Sequence, residues 1–273
     1  MPEPRLSDGL VERVLARLGL ATPRADSEDL GALYLAWSRA VPWDNVQKRI
    51  SVAERHRILA GAEPEEFFEN WLRHGTGGTC WPSSGAWHAL LVALGFDARR
   101  VIGTMHPDRV PAGTANHASE IVRSDGEDWL VDSSMLNERP LPLHRGEPTR
   151  IDDPLHAIRA EPRPDALWHI LWSSYVRPEM IPCLLFAEDV THEAYLERYE
   201  LSRVRGFSYG LTFRRNTAAG VLSVQRSTRT FKDRGGAIEQ EEVRDRSGVL
   251  VDEGGLSPEI VRRLPEDEPE PPR

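Results

Sequence analysis

His74-Gly75-Thr76-Gly77-Gly78-Thr79-Cys80-Trp81-Pro82 is the stretch from which the rest of the chain is read. It is a glycine-rich turn that delivers a cysteine to the start of an apolar helical pattern. A proline is tolerated in the first turn of a helix, where its missing N–H has no partner to lose, so Pro82 marks a helix start. Trp87, Leu90, Leu91 and Leu94 follow at one-face spacing and Gly95 reads as the stop. Cys80 is therefore expected at a helix N-terminus, where orphan amides and the helix dipole favour thiolate over thiol. The glycines admit close backbone approach to the sulfur. A buried cysteine beside a helix cap is the plain alternative.

Working outward, the residues before this stretch read as helices. Ser7 is placed to cap one carrying Leu10, Val14, Leu15 and Leu18 and ending at Gly19. Ser27 is placed to cap a second, with Leu30, Leu33, Tyr34 and Trp37 inward. Pro64 starts a third, with Glu65 and Glu66 in its first turn and Phe67, Phe68, Trp71 and Leu72 on its apolar face; Gly75 ends it. After Gly95 the pattern changes. Arg99 to Thr104 reads as a strand, and Asn116–Val122 and Asp128–Asp132 as a hairpin around Ser124-Asp125-Gly126-Glu127. Closing that hairpin at Ser124 and Glu127 sets Ser119 opposite Asp132; slipping it by two sets His117 there. Parity is the same in both, so His117 and Asp132 share a face.

Residues 136–165 are proline-rich and yield no placeable strand. Trp168, Ile170 and Trp172 alternate as in a strand, and Thr191 to Ser202 reads as a helix. Leu211–Arg215 and Val221–Ser227 form a second hairpin pattern, Ser257 and Pro258 start a last helix, and the acidic, proline-rich tail 265–273 reads as disordered.

The chain has 273 residues and a net charge of −9, which argues against nucleic acid as a general partner. No apolar run reaches the length of a membrane span, and the N-terminus lacks the apolar core of a signal peptide. Two distant cysteines, Cys80 and Cys183, suggest neither a disulfide scaffold nor a zinc site. A cytoplasmic protein with reduced thiols and no metal is the simplest expectation.

Cys80, His117 and Asp132 have the chemical types of a nucleophile, its base and the carboxylate that orients the base. Each also has a structural reading, as a core cysteine, a strand histidine and a turn aspartate. The run GGTCWPSSGAWHALLVALGFDARRVIG, then NHASEIV, then WLVD, resembles the arylamine N-acetyltransferase family. Val41-Pro42-Trp43-Asp44-Asn45 is similar to that family's Pro-Phe-Glu-Asn segment, and Leu211–Arg215 with Val221–Val224 to the strands of its C-terminal lid. The resemblance implies an α+β fold: a helical domain (1–86) carrying Cys80, an antiparallel β-barrel (87–190) carrying His117 and Asp132, and an α/β lid (191–264). It also implies ping-pong chemistry. Cys80 takes an acyl group from a thioester such as acetyl-CoA and passes it to an arylamine, hydrazine or other amine.

The family's Asp-Val-Gly-Phe-Gly is Asp132-Ser133-Ser134-Met135-Leu136 here, which leaves the triad intact and alters the loop lining the acyl-donor cleft. Two other readings therefore stay open: an amide synthase or transglutaminase-like hydrolase using the same triad, with an acyl carrier protein as a potential donor partner, and an inactive homologue that only binds an acyl or aromatic ligand. Candidate donor-binding residues are Thr79, Ser133, Ser134, Arg214 and Arg215. Arg203, Arg205, Arg214, Arg215, Arg226, Arg229, Lys232 and Arg234 crowd one stretch of the lid and suggest a phosphate-docking face.

Overall fold

The apolar spacing of the first third of the chain folds as it reads. The computed structural model describes residues 3–271. Helices α1 (Asp8–Leu18), α2 (Ser27–Ala40), α3 (Val46–Ala53), α4 (Pro64–His74) and α5 (Cys80–Ala93) occupy it, with a two-residue strand, β1 (Trp43–Asp44), between α2 and α3. α1 stops at Gly19 and α4 at Gly75, both at positive φ, where a side chain would be strained. The α2 cap is Asp26 rather than Ser27, its carboxylate accepting the Asp29 N–H. α3 gave no clear signal because Lys48, Arg49 and Ser51 are buried along with Val46 and Ile50. α5 is buried along Cys80–Leu91, not on one face alone. Its sequence carries no Asp, Glu, Lys or Arg, so it can serve as the central element around which α1, α2 and α4 pack. Trp37 lies at the middle of that core, stacked on Phe67 at 6.0 Å and tilted against Trp87 at 4.7 Å. Each such ring buries some 150–250 Å².

Eight antiparallel strands follow: β2 (Asp97–Met105), β3 (His117–Ser124), β4 (Glu127–Leu130), β5 (Leu141–Leu143), β6 (Thr149–Ile151), β7 (Ile158–Pro162), β8 (Trp168–Trp172) and β9 (Ile181–Glu188). Their order is β5-β4-β3-β2-β9-β8-β7-β6. The two end strands meet, the Thr149 hydroxyl donating to the Pro142 carbonyl at 2.5 Å, so the sheet is nearly a closed barrel. The β3–β4 register is the one closed at Ser124 and Glu127. Three strands, β5, β6 and β7, lie in the proline-rich stretch; each is three to five residues long, too short for a period to show.

The last third begins with α6 (His192–Leu201), capped by Thr191. Strands β10 (Thr212–Asn216), β11 (Gly220–Gln225), β12 (Thr228–Asp233) and β13 (Ile238–Glu242) and helices α7 (Arg246–Asp252) and α8 (Pro258–Arg263) complete it. The lid sheet has the order β1-β10-β11-β12-β13, so its first strand comes from the N-terminal third. One face, with Phe213, Leu222 and Val224, packs on Val46 and Ile50 of α3 and on Leu250, Ile260 and Val261 of α7 and α8.

The expected segment boundaries differ in two places. α5 runs through position 86, so the helical layer and the barrel share it. The tail expected to be disordered is tied down from Pro265 to Glu268, and residues 272–273 lie outside the described residues. The buried Arg49 guanidinium donates to the Pro265 and Glu266 carbonyls and pairs with Asp267 at 2.8 Å. Asp267 also pairs with Arg246 and accepts the Leu211 N–H. Composition pointed to disorder because it does not register acceptors needed by a buried cation elsewhere. No helix among the described residues is long and apolar enough to cross a membrane.

Candidate active site

Cys80 occupies the first position of α5, after Thr79 at the cap. In a helix that begins there the first amides have no internal partner, and Pro82 contributes none. The loop before it is fixed by backbone contacts. The Gly77 N–H donates to Asp44 Oδ2 at 2.6 Å, and a Cβ at Gly77 would lie 1.7 Å from the Pro42 carbonyl oxygen, so only glycine fits. Burial raises the Asp44 carboxyl to about 6, against the pull of the Gly77 and Val46 amides.

His117 begins β3 and Asp132 follows the end of β4. The His117 Nε2–H donates to Asp132 Oδ2 at 2.7 Å, and both side chains are buried. That leaves Nδ1 for Cys80, whose Sγ lies 3.8 Å from the carbonyl oxygen of Asn116, the residue preceding the histidine. Burial alone would lower the His117 pKa. The charge and hydrogen bond of Asp132, with a further contribution from Cys80, outweigh it and raise it well above the ordinary histidine value. Burial likewise pushes Asp132 up, but His117 and the Ser134 amide and hydroxyl hold it below the usual carboxylate range. A proton is thus held on the imidazole beside the sulfur, the arrangement a thiolate nucleophile needs.

The carboxylate is oriented from every side. Its Oδ1 accepts the Ser134 N–H at 2.9 Å, the Ser134 hydroxyl at 2.8 Å and the Met135 N–H at 3.1 Å. Tyr34 and Trp37 of α2 donate to the Asp132 and Ser133 carbonyls, and Trp87 of α5 to that of Val131. The Trp172 ring stands 5.6 Å from the His117 ring, edge-on. Asn116 brackets β2, accepting the Met105 N–H and donating to its carbonyl. None of these supports was assigned from sequence. Tyr34 and Trp37 read only as core residues, because the carbonyls they hold lie about 100 residues away.

The altered loop keeps a backbone shape that suits glycine. Leu136, at the position of the second family glycine, has φ 57°, which costs a leucine roughly 1–2 kcal/mol. Its side chain is buried with Trp43, Leu155, Tyr175 and Val221, which offsets that cost.

The donor-binding candidates scatter. Thr79 and Ser133 have buried hydroxyls without hydrogen-bond partners, whereas Ser134 is spent on Asp132. Arg214 and Arg215 are consecutive on β10 and point to opposite faces. Arg215 donates to the Gly254 carbonyl, while Arg214 lies 5.0 Å over the Trp43 ring. The crowded arginines are not one open phosphate-docking face, because neighbouring elements supply acceptors. Arg203 is paired with Glu200, Arg229 with Glu253 and Glu241, Arg234 with Glu138, and Lys232 is buried against Ser173 and Ser174. Cys183, on β9, is fully buried, and burial pushes its thiol far up. Both cysteines are free.

A cysteine at a helix start, a histidine and an aspartate joined across a barrel hairpin, and a lid sheet above them define a class of triad-bearing α+β proteins. Residues 26–169 match the N-acetyltransferase family model, and the chain belongs to that family. It is 29% identical over 124 residues to proansamycin X synthase of Amycolatopsis mediterranei, covering 45% of this chain and 46% of that one. It is 28% identical over 182 residues to arylamine N-acetyltransferase of Mycolicibacterium smegmatis, covering 55% and 64%. The chain thus spans less than two thirds of the length of either relative. Among solved structures it is similar to the arylamine N-acetyltransferase of Mycobacterium abscessus, with a TM-score of 0.78, 18% identity and 93% of both chains covered. That of Salmonella typhimurium follows at a TM-score of 0.76 and 20% identity, covering 92% of each. These likenesses bear out the fold.

Proposed function

We propose that this protein is a cysteine-dependent acyltransferase that moves an acetyl or other acyl group from a thioester, such as acetyl-CoA, to an amine in two half-reactions. The observation that carries the reading is the buried His117–Asp132 hydrogen bond with Cys80 beside the imidazole at a helix start.

In the first half-reaction the Cys80 thiolate attacks the thioester carbonyl. The new C–S bond forms, the old one breaks, and the departing thiolate takes the proton held on His117. In the second, the amine nitrogen attacks the Cys80 thioester. His117, now neutral, accepts the proton the nitrogen loses, and the C–S bond to Cys80 breaks to restore the thiolate–imidazolium pair. Asp132 keeps the ring oriented with Nδ1 toward sulfur and stabilises its cationic form. The first amides of α5 are the available donors for the oxyanion of each tetrahedral intermediate.

A second reading, an amide synthase using the same triad on a longer acyl chain, is favoured by the similarity to proansamycin X synthase and by the replaced loop Ser133–Leu136. Incubating the protein with acetyl-CoA, longer acyl-CoAs and acyl pantetheines and weighing it intact separates the two. An acetyl-sized gain that is absent in Cys80→Ala supports acetyl transfer; a gain from long acyl donors alone supports the synthase. No adduct from any thioester, with Cys80 still reactive to alkylation, overturns both.

A further inference from the structure

The face of the lid sheet turned toward the barrel is polar where its other face is apolar. Antiparallel partners share a face, so the registers Trp43↔Arg214↔Ser223 and Asn216↔Val221↔Lys232 place these side chains together on the inner side. Val221 and Trp43 pack there on Leu136, from the loop that follows Asp132, and on Leu155 and Tyr175 of the barrel.

The polar groups of this face differ in how they are satisfied. Lys232 Nζ donates to Ser173 Oγ at 2.7 Å and to the carbonyls of Ser174 and Leu155. The Asn216 amide donates to the Ser38 and Leu136 carbonyls. Arg214 has no side-chain hydrogen bond and no ion pair among the described residues. Its Nε is sealed from solvent without a partner, as is the neighbouring Ser223 hydroxyl. The groups acting on its charge are Tyr175 and Arg177, neither a carboxylate. Asp44, the nearest acidic residue along β1, is taken up by the amides of Val46 and Gly77. Arg214 as a whole is only half-buried, so its sealed Nε lacks a partner while the rest of the guanidinium can be reached, and the fork of a guanidinium matches a carboxylate in bidentate fashion. The Trp43 ring, 5.0 Å from the guanidinium carbon, holds Arg214 on the inner face by a cation–π contact. Trp43 in turn bridges to Gly78, two residues before the nucleophile.

We propose that Arg214, with the Ser223 hydroxyl beside it, receives a carboxylate carried by the substrate, either on the amine acceptor or on the acyl group, and so sets substrate preference. The inference rests on the acyltransferase reading and adds to it the chemical class selected by the inner face of the lid.

Two matched pairs separate the sources: 4-aminobenzoate against its methyl ester as acceptors for acetylated enzyme, and succinyl-CoA against butyryl-CoA as donors to free Cys80. In one pair the preference for the charged member falls at least 10-fold in Arg214→Met, mainly through KM, and is partly kept in Arg214→Lys. The pair that responds identifies the carrier of the carboxylate. Unchanged preference in both pairs overturns the proposal while leaving Cys80 acylation, and hence the acyltransferase reading, intact. Thermal unfolding supplies a readout free of turnover. Benzoate raises Tm of the wild type and not of Arg214→Met, whose own Tm is no lower than wild type. Equal benzoate shifts, or a clearly destabilised Arg214→Met, assign Arg214 a structural role and overturn the proposal even if Cys80 accepts no acyl group.

Discussion

Asp132→Asn tests the triad at its most constrained atom. The asparagine cannot choose its orientation freely. Two backbone N–H groups and the Ser134 hydroxyl converge on Oδ1, so the amide oxygen must stay there and the NH2 must face His117. An NH2 donor facing Nε2 forces the imidazole to carry its proton on Nδ1, toward sulfur, where a base is needed. The neutral amide also gives up the charge that, with Cys80, raises His117 from 6.5 to about 10. Because burial pulls the other way, Asp132 and Cys80 together do more than the net rise shows, and without the carboxylate burial is left to favour the neutral imidazole. We expect thiol alkylation by iodoacetamide at pH 7 and acyl transfer to fall on the order of 100- to 1,000-fold, with the circular-dichroism spectrum unchanged since all three Oδ1 donors keep their acceptor. The alkylation profile should move to higher pH. An Asp132→Asn variant that alkylates at the wild-type rate between pH 6 and 7 would refute the claim that Asp132 acts through His117.

Other consequences can be checked directly. Cys80→Ser should fold normally and form no acyl adduct, since a hydroxyl is far harder to ionise than a thiol. In the native wild type iodoacetamide should modify Cys80 first; preferential labelling of the fully buried Cys183 would count against both assignments. Glu138, clamped by Arg234 and Arg39, has its carboxyl pulled to about 2 despite partial burial. Its folded pKa is depressed, so its contribution is present above about 4.5 and lost as pH falls toward 2. Glu138→Gln should cost about 2 kcal/mol at pH 7 and little at pH 2, measured by urea unfolding at both. Asp267→Ala strands the buried Arg49 and should cost roughly 3 kcal/mol, seen as a lower Tm; an unchanged Tm would mean that the tail carbonyls satisfy Arg49 alone.

The features legible in the sequence were local or periodic. Pro82 and the glycines before Cys80 located the helix start, and the Ser124–Glu127 turn fixed the parity that put His117 and Asp132 on one face. Helix α3 was hidden because a buried lysine and arginine break the apolar pattern, and each is satisfied by residues some 150 or more positions away. The short barrel strands are defined by their neighbours in the ladder, which periodicity cannot supply. The basic lid misled for a similar reason: net charge in a stretch says nothing of the carboxylates that fold onto it.

Strand β1 has a consequence for the timing of assembly. Trp43 and Asp44 pair with Arg214 and Phe213, 171 residues apart along the chain for the first pair, and Trp43 also bridges to Gly78. At a synthesis rate of about 5–20 residues per second, roughly 10–35 s separate the two strands' appearance. Throughout that interval the Trp43–Asp44 strand, bridged to Gly78 before Cys80, lacks the strand that will pair with it. Cys80 is made early, at the head of α5, but the residues packed around it wait for Ile102 and Ala118 of the barrel and Tyr195 and Tyr199 of α6, the strand beside Trp43 waits for β10, and the Asp267 clamp on Arg49 comes later still. A nascent chain therefore carries the Cys80 thiol well before its lid sheet can close, and on the proposed role of Arg214 it gains substrate preference only once that sheet pairs with its first-made strand.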